Sequence, residues 1–591
     1  MAKQAIVLHE GSPGPREMRL GRILDFFGIP WRPVDVSELR KIPAGSPGYI
    51  AFGSVQAVAR AMDERLGSGR TLTQPEAIYI YADDDRGRST RSFRSMVGDL
   101  NLSLQEAPAG EVLICVSSEM ADVTGPMAGL KVLSPLRSED AVLVGGLIDC
   151  GWKSAAIISA GGAPVFLRFK RGQIPIFFCL SSHMVDIDQP VVKGFYDIKD
   201  HFCSVVSLVM FIRFMFSDIA WRPQEIGACL IIDDPLLRPR YGFCNFERLR
   251  DLMRQHGFTT NIAFIPWNWR RTSSVDSELF RNESGLFSVS IHGCDHTRGE
   301  FGATSPEVLQ AAARLAQARM QNHRSRTAIK HEPIMVFPQG VFSSICPGIL
   351  KREGFLAAVN TELVPVDSQN ARTQIRDVWD VAITTYGSFP IFTRRYAFHG
   401  LENFAFDSLL GKPCLIVAHH DFFKDGGAGL IELVEKIGLL NCRLFWRPLG
   451  EVIRRACRVR AEPIGAKDVQ MYGNELVVDN GSDRTVEVRI RKRKSEGDVV
   501  SEILCDEKPI AWATQDQQHM FSGQLGPRSS KFFRVVYEEK PLTREIRRPL
   551  PFEFSVAVRR LLCEFRDEYV ARSSFLSGSA NRLKAVIRKA T

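Results

Sequence analysis

The sequence predicts an α/β chain, with a distorted (β/α) barrel in its middle, an N-terminal Rossmann-like α/β domain before it and a C-terminal β-sandwich after it. Three observations predict this. Short apolar runs alternate with amphipathic, helix-length segments from residue 1 to about 125 and again from 226 to 460, the rhythm of a parallel sheet with crossover helices. Three of those runs pass straight into ionisable residues, and barrels gather such residues at the C-terminal ends of their strands. After about residue 463 the apolar period switches to two, with Val486, Val488 and Ile490 following the Asn480-Gly481 turn.

Residues 1–125 form the Rossmann-like unit, with strands at Ala5–Leu8, Tyr49–Phe52, Ala77–Tyr81 and Glu111–Val116 and an amphipathic helix at Arg16–Phe27. They lack the glycine patterns that cradle a nucleotide phosphate, so Gly53-Ser54 reads as a structural turn and Asp83–Asp85 as a solvated loop. Residues 126–225 hold short β runs between glycine turns, Ala141–Val144, Ala155–Ser159, Val165–Arg168 and Ile174–Leu180. They read as a small β-rich region or a sheet extension, followed by a helical linker through Trp221. Within that linker Cys203–Phe216 is apolar, but it is too short to span a bilayer and is interrupted by Arg213, so a packed helix is expected.

The barrel, 226–460, is organised around Cys229-Leu-Ile-Ile-Asp233-Asp234-Pro235, a buried strand ending in two carboxylates. Burying one carboxylate costs several kcal/mol unless it is paired or bound to a cation, so two adjacent ones require a partner. A second strand-like run, Ser288–Ile291, ends in His292 and His296, whose spacing places both on one face of a helical turn. One carboxylate oxygen and two imidazoles make a divalent-metal set with positions left for water and substrate. A third run, Cys414–Ala418, ends in His419-His420-Asp421. Asn245–His256 and Ser305–Asn322 read as outer helices, and Trp267 and Trp269 with their neighbouring arginines either line a sugar groove or pack beneath a loop. Arg394, Arg395 and His399 read as a solvated connecting segment.

The order of these motifs, Asp-Asp, His-x-x-x-His, a proline-containing strand end and a late His, resembles the NodB-homology polysaccharide deacetylases, carbohydrate esterase family four, over roughly Ile226 to Ile453. The resemblance implies a barrel of polysaccharide-deacetylase type. It assigns Asp233 as general base and Asp234, His292 and His296 as ligands of a divalent ion, zinc first, with nickel, cobalt or manganese as alternatives. Pro338, with Trp267 and Trp269, belongs on the substrate side. The late histidine is the general acid, and the match of Leu415-x-Val417-x-His419-His420 places it at His420, a one-residue slip choosing His419. The expected partner is a carbohydrate carrying N-acetyl groups, and the expected reaction is removal of the acetyl group in surface polysaccharide or glycan biosynthesis. This sequence departs from the family at Ile231-Ile232 in place of Thr-Phe, and at Phe337 in place of the Arg that steadies the base. Asp377-Val-Trp379-Asp380 only echoes the fourth motif. Two other readings stand beside the deacetylase: a degenerate barrel that binds polysaccharide or acts as a scaffold, and a glycoside hydrolase using Asp233 and Asp421.

The β-sandwich spans 463–540. Residues 541–591 form a basic helical tail, with eleven Lys/Arg against five Asp/Glu, which is +6 of the chain's +9. Apolar residues at helical spacing in Phe554–Val570 beside Arg559, Arg560 and Arg566 suit a docking helix, with peripheral contact at the inner membrane surface as the expected partner. No nucleic-acid binding follows from so modest a charge. The thirteen cysteines include no Cys-x-x-Cys pair, and the N-terminus lacks the pattern of a secretory signal, so a cytoplasmic location is expected.

Overall fold

Most barrel strands are runs rich in Ile, Val, Leu, Ala or Phe and buried on both faces, which is the signature of a parallel sheet covered by helices. In the computed structural model, which describes residues 3–41, 48–66, 74–145, 155–191, 194–367, 373–462, 465–538 and 549–570, these runs form one parallel sheet. From one side to the other it contains Ile391–Thr393, Ala357–Asn360, Ile334–Val336, Phe287–His292, Thr260–Phe264, Ile226–Asp233, Cys414–Ala418 and Arg395–Tyr396. Leu444–Trp446 pairs with the start of the Asp233 strand. The two outermost strands are consecutive in the chain. Ile391–Thr393 pairs with Ala357–Asn360, while Arg395-Tyr396 pairs with Cys414–Ala418, so one short segment crosses from one edge of the sheet to the other and closes the barrel. Arg394 is the residue between them, and its N–H donates to the Asn360 carbonyl at 3.0 Å.

The N-terminal sheet has nine strands among the described residues. Trp31–Asp35, Gln4–His9, Tyr49–Ser54 and Ala77–Tyr81 run parallel, and Ile174–Cys179 continues in the same direction beside Ala77–Tyr81. Ala163–Arg171, Ala156–Ala160, Glu111–Val116 and Lys131–Pro135 then follow antiparallel to one another. The β runs of 156–179 thus extend the first sheet. The apolar linker helix Ser207–Met215 packs Phe211 against Phe52, Tyr79 and Phe177, with ring centroids 5.0–5.3 Å apart. Arg213 within it is half-buried, and its guanidinium donates to the carbonyls of Leu409 and Leu410 at 2.9 and 2.6 Å. Those carbonyls end the barrel helix Leu401–Leu410, where a cation meets the negative end of the helix dipole.

The period-two segment forms a sandwich of a six-stranded and a four-stranded sheet around Val469, Val478, Val488, Ile490, Phe521 and Phe533, with Arg222–Pro223 and Arg458–Ala461 supplying two strands of the larger sheet. No disulfide joins the described cysteines. No described helix is long and apolar enough to cross a membrane.

The long helix Pro306–Thr327 carries a buried histidine whose titration is expected to make the barrel acid-sensitive. His323 is fully buried beside Phe264, and its Nε2 is 2.8 Å from the Thr272 hydroxyl. Burial first, then the charges of Arg326 and His331, push its pKa down to about 4. The unfolded chain, with histidine near 6.5, binds the proton first, so this site's stability is complete above pH ~6.5 and is lost as pH falls towards 4. The loss amounts to about 2–4 kcal/mol. His323→Gln is expected to be less stable than the parent at pH 7, with the gap narrowing by that amount at pH 4. Denaturant midpoints at the two pH values check this, and a pH-independent gap contradicts it.

Candidate active site

Asp233 is the last residue of its strand and Asp234 the first beyond it, so the two carboxylates leave the barrel mouth in different directions. Asp234 has φ 79°, in the left-handed region that a non-glycine residue rarely adopts, and His296 has φ 59°. Backbone strain of this kind persists where surrounding contacts over-determine it, and both residues here face one point. Asp234 Oδ1 lies 3.3 Å from His292 Nε2 and 3.1 Å from His296 Nε2.

His292 and His296 do not share a helical turn, as their spacing suggested. His292 ends its strand, Gly293 turns the chain at φ 64°, and an open loop brings His296 back until the ring centroids are 4.7 Å apart. A residue that the sequence reading missed holds that loop. The half-buried Glu300 carboxylate accepts from the backbone N–H groups of Cys294, Asp295, His296 and Thr297 at 2.7–3.3 Å. Burial pushes Glu300 up, against the pull of those donors. Arg319 reinforces the loop through Asp295 at 2.6 Å. An acid a few residues beyond a glycine-broken histidine pair is the local signal that marks such a residue.

The donor set fits a divalent ion. His292 Nδ1–H donates to the Val336 carbonyl at 2.9 Å, which leaves the Nε2 lone pair facing Asp234 and the ring fixed as a ligand's must be. Asp234 Oδ1 is buried without a hydrogen-bond partner, an orphan that a cation satisfies. The three ligand atoms lie within 4.8 Å of one another, the only such group of three among the described residues. Burial alone raises Asp234, but the neighbouring imidazoles of His296 and His292 outweigh it and hold the carboxyl well below the usual range. Burial pushes His296 down to about 4, so its imidazole is neutral, the ligand form.

Asp233 has a partner that the sequence reading placed elsewhere. Arg394 is buried, not solvated, and forms a two-pronged pair with Asp233, Nη1 to Oδ1 at 2.6 Å and Nη2 to Oδ2 at 2.7 Å. Burial alone raises Asp233, and the Arg394 charge, followed by His292, overrides it and holds the carboxyl below its ordinary value. Arg395 is likewise buried, paired with Asp407 at 2.6 Å. The barrel-closing crossover explains both corrections, because consecutive residues of a strand point to opposite faces, and neither face here meets solvent.

The two late histidines reach the same cavity of about 640 Å³, whose walls include Asp233, Asp234, His292, His296, Gln339 and Tyr396. His419 stacks on Tyr396 with centroids 6.0 Å apart and planes 11° apart, and no described residue hydrogen-bonds its ring. His420 Nε2 lies 3.5 Å from Asp567, and its Nδ1 is buried against Gly242. Pro338 packs on Gly293, behind the cavity wall, while Gln339 and Gly340 line it. Trp267 and Trp269 sit at the turn after Thr260–Phe264 and are not among the lining residues. Asp377 and Asp380 lie outside it, on a second cavity between the barrel and the sandwich.

The C-terminal helix Leu550–Phe565 and its final turn, to Val570, lie across the mouth. Arg559, Arg560, Cys563, Arg566 and Asp567 join the cavity wall. Both Glu564 oxygens accept from Arg271 Nη2, at 2.6 and 2.9 Å, the Tyr241 hydroxyl donates to Asp567 at 2.8 Å, and Gly242 N–H donates to Glu568 at 3.1 Å. Residues 541–548 and 571–591 of the predicted basic tail lie outside the described residues.

No protein-family model and no curated protein matches the sequence. Solved structures similar to the chain include that of Agd3, described as a novel carbohydrate deacetylase, at 10% identity over 90% of this chain and 98% of that one, with a TM-score of 0.45. A family 4 carbohydrate esterase from Streptomyces lividans, in complex with acetate, is similar at 15% identity over 36% of this chain and 85% of that one, with a TM-score of 0.21. A Streptococcus mutans CE4 esterase is similar at 10% identity over 38% of this chain and 85% of that one, with a TM-score of 0.25.

Proposed function

We propose that this chain is a metal-dependent N-deacetylase acting on an acetamido sugar in surface polysaccharide or glycan biosynthesis. The observation that supports it best is the meeting of Asp234 Oδ1, His292 Nε2 and His296 Nε2 in one cavity, beside a carboxylate held ionised by a buried guanidinium. A divalent ion held by those three residues supplies Lewis acidity towards a water and an amide carbonyl, with zinc the ion best suited to two imidazoles and a carboxylate. Asp233 takes the proton from the attacking water, and Arg394 keeps its carboxylate charged and aimed until it does so. Gln339 and Tyr396 border the space left for the sugar.

Of the two late histidines, His419 is assigned the proton delivered to the leaving nitrogen. His420 has one ring nitrogen turned to Asp567 and the other buried against Gly242, whereas no described residue hydrogen-bonds the ring of His419. His419→Ala is expected to lower turnover by ~10²–10⁴-fold, the range for a lost proton-transfer group. His420→Ala is expected to cost less. Acetate release by the two variants checks the assignment, and a deeper defect at His420 reverses it.

The outward face of the C-terminal helix exposes Leu550, Phe554, Leu561, Leu562 and Phe565. By that face and the basic residues after it, the enzyme is proposed to touch the anionic, cytoplasmic surface of a membrane, each basic residue adding about 1 kcal/mol. Sedimentation with anionic vesicles is expected to weaken with salt, and a chain ending before Pro541 that sediments equally well contradicts the contact.

A further inference from the structure

The C-terminal helix carries two arginines into the cavity that no described carboxylate pairs with directly, although the Arg560 charge reaches Asp234. Arg560 is only 5% exposed, and Arg559 is half-buried beside it. Neither makes a hydrogen bond or an ion pair with a described residue, and Arg560 Nη1 and Arg559 Nε are both buried without a partner. The remaining cations of the cavity are committed, Arg394 to Asp233 and Arg566 to Asp567. The remaining acids, Glu362 and Asp421, are exposed at the rim. A buried, unpaired guanidinium is costly, and this one is held in place by ion pairs of the same helix through Glu564 with Arg271 and Arg238. A divalent ion beside Asp234 adds further positive charge, so the free space between the ion site and the helix favours an anion.

We propose that Arg559 and Arg560 form an anion subsite of the active cavity, and that the substrate is an acetamido sugar bearing a phosphate ester or pyrophosphate. Two adjacent guanidinium groups match the several acceptor oxygens and the double charge of phosphate, which a neutral glycan chain lacks. The inference rests on the reading of the cavity as a sugar deacetylase site and specifies its substrate class. Nucleotide and isoprenoid carriers both present this chemistry.

Calorimetry on the full, metal-loaded chain tests it with four probes: a neutral methyl glycoside of an N-acetylated amino sugar, the same sugar as its 1-phosphate, the sugar linked through pyrophosphate to uridine, and the sugar linked through pyrophosphate to a short isoprenoid. The phosphorylated probes are expected to bind about tenfold or more tightly than the glycoside, with affinity falling as salt rises. Arg560→Gln and Arg559→Gln are each expected to erase about tenfold of that preference, and Arg560→Lys to keep part of it. Thermal melts matching the parent establish that the variants fold, and the pyrophosphate probe bound more tightly identifies the carrier. Equal affinity for all four probes, or folded variants that keep the full preference, overturns the subsite. If the neutral glycoside is deacetylated as fast as the phosphorylated sugars, the subsite fails while the reaction stands. If phosphorylated sugars bind through Arg560 but none is deacetylated, the reaction fails while the subsite stands.

Discussion

Arg394→Gln is expected to lower turnover by ~10²-fold or more and to destabilise the fold by about 3–5 kcal/mol, while leaving the divalent ion bound. The guanidinium satisfies both oxygens of Asp233, a residue 4% exposed, so its removal strands a buried carboxylate. Burial then dominates, the carboxyl pKa rises, and the acid limb of the kcat/KM profile moves to higher pH. A merely structural role for Arg394 would lower stability without moving that limb. Arg394→Lys restores a point charge without the fork, so it is expected to recover stability more fully than rate. An unmoved acid limb in a folded Arg394→Gln enzyme contradicts the positioning role.

His292→Ala is expected to release the ion and abolish turnover, whereas Asp233→Asn is expected to keep the ion and lose ~10²–10⁴-fold in turnover. The contrast follows from geometry. His292 Nε2 faces Asp234 Oδ1 and its Nδ1 is anchored to the Val336 carbonyl, so truncation removes a ligand whose orientation is already fixed. Asp233 faces Arg394, and its amide analogue keeps the shape while losing the charge that accepts a proton. Metal content and acetate release, measured on the same preparations, separate the two roles. Loss of the ion in Asp233→Asn would place that carboxylate among the ligands.

What could be read from the chain was what is local. Apolar strands running into Asp233-Asp234, His292 and His419 are patterns of fewer than ten residues, and the parallel sheet placed all of them at one mouth. Arg394 was illegible because its partner lies 161 residues away and the crossover that buries it is a property of barrel closure. In this chain, the charge missing at Phe337 is supplied to Asp233 from the closing strand. The tail was legible as an amphipathic helix, but not which way it faces. Ion pairs and hydrogen bonds to Arg271, Tyr241 and Gly242 turn its charged side inward and leave Phe554, Leu561 and Phe565 outside. The histidine loop was misread as helical because spacing alone does not report Gly293 or the four N–H groups gathered by Glu300.

The most direct measurement counts acetate and new reducing ends together when the metal-loaded protein acts on N-acetylated amino sugars. The account predicts acetate and free amine in equal amounts, no new reducing ends, and loss of both products in His292→Ala. Reducing ends formed without acetate would make Asp233 and Asp421 a glycosidase pair. Neither product from a fully metal-loaded protein, on neutral and phosphorylated sugars alike, would contradict the deacetylase reading.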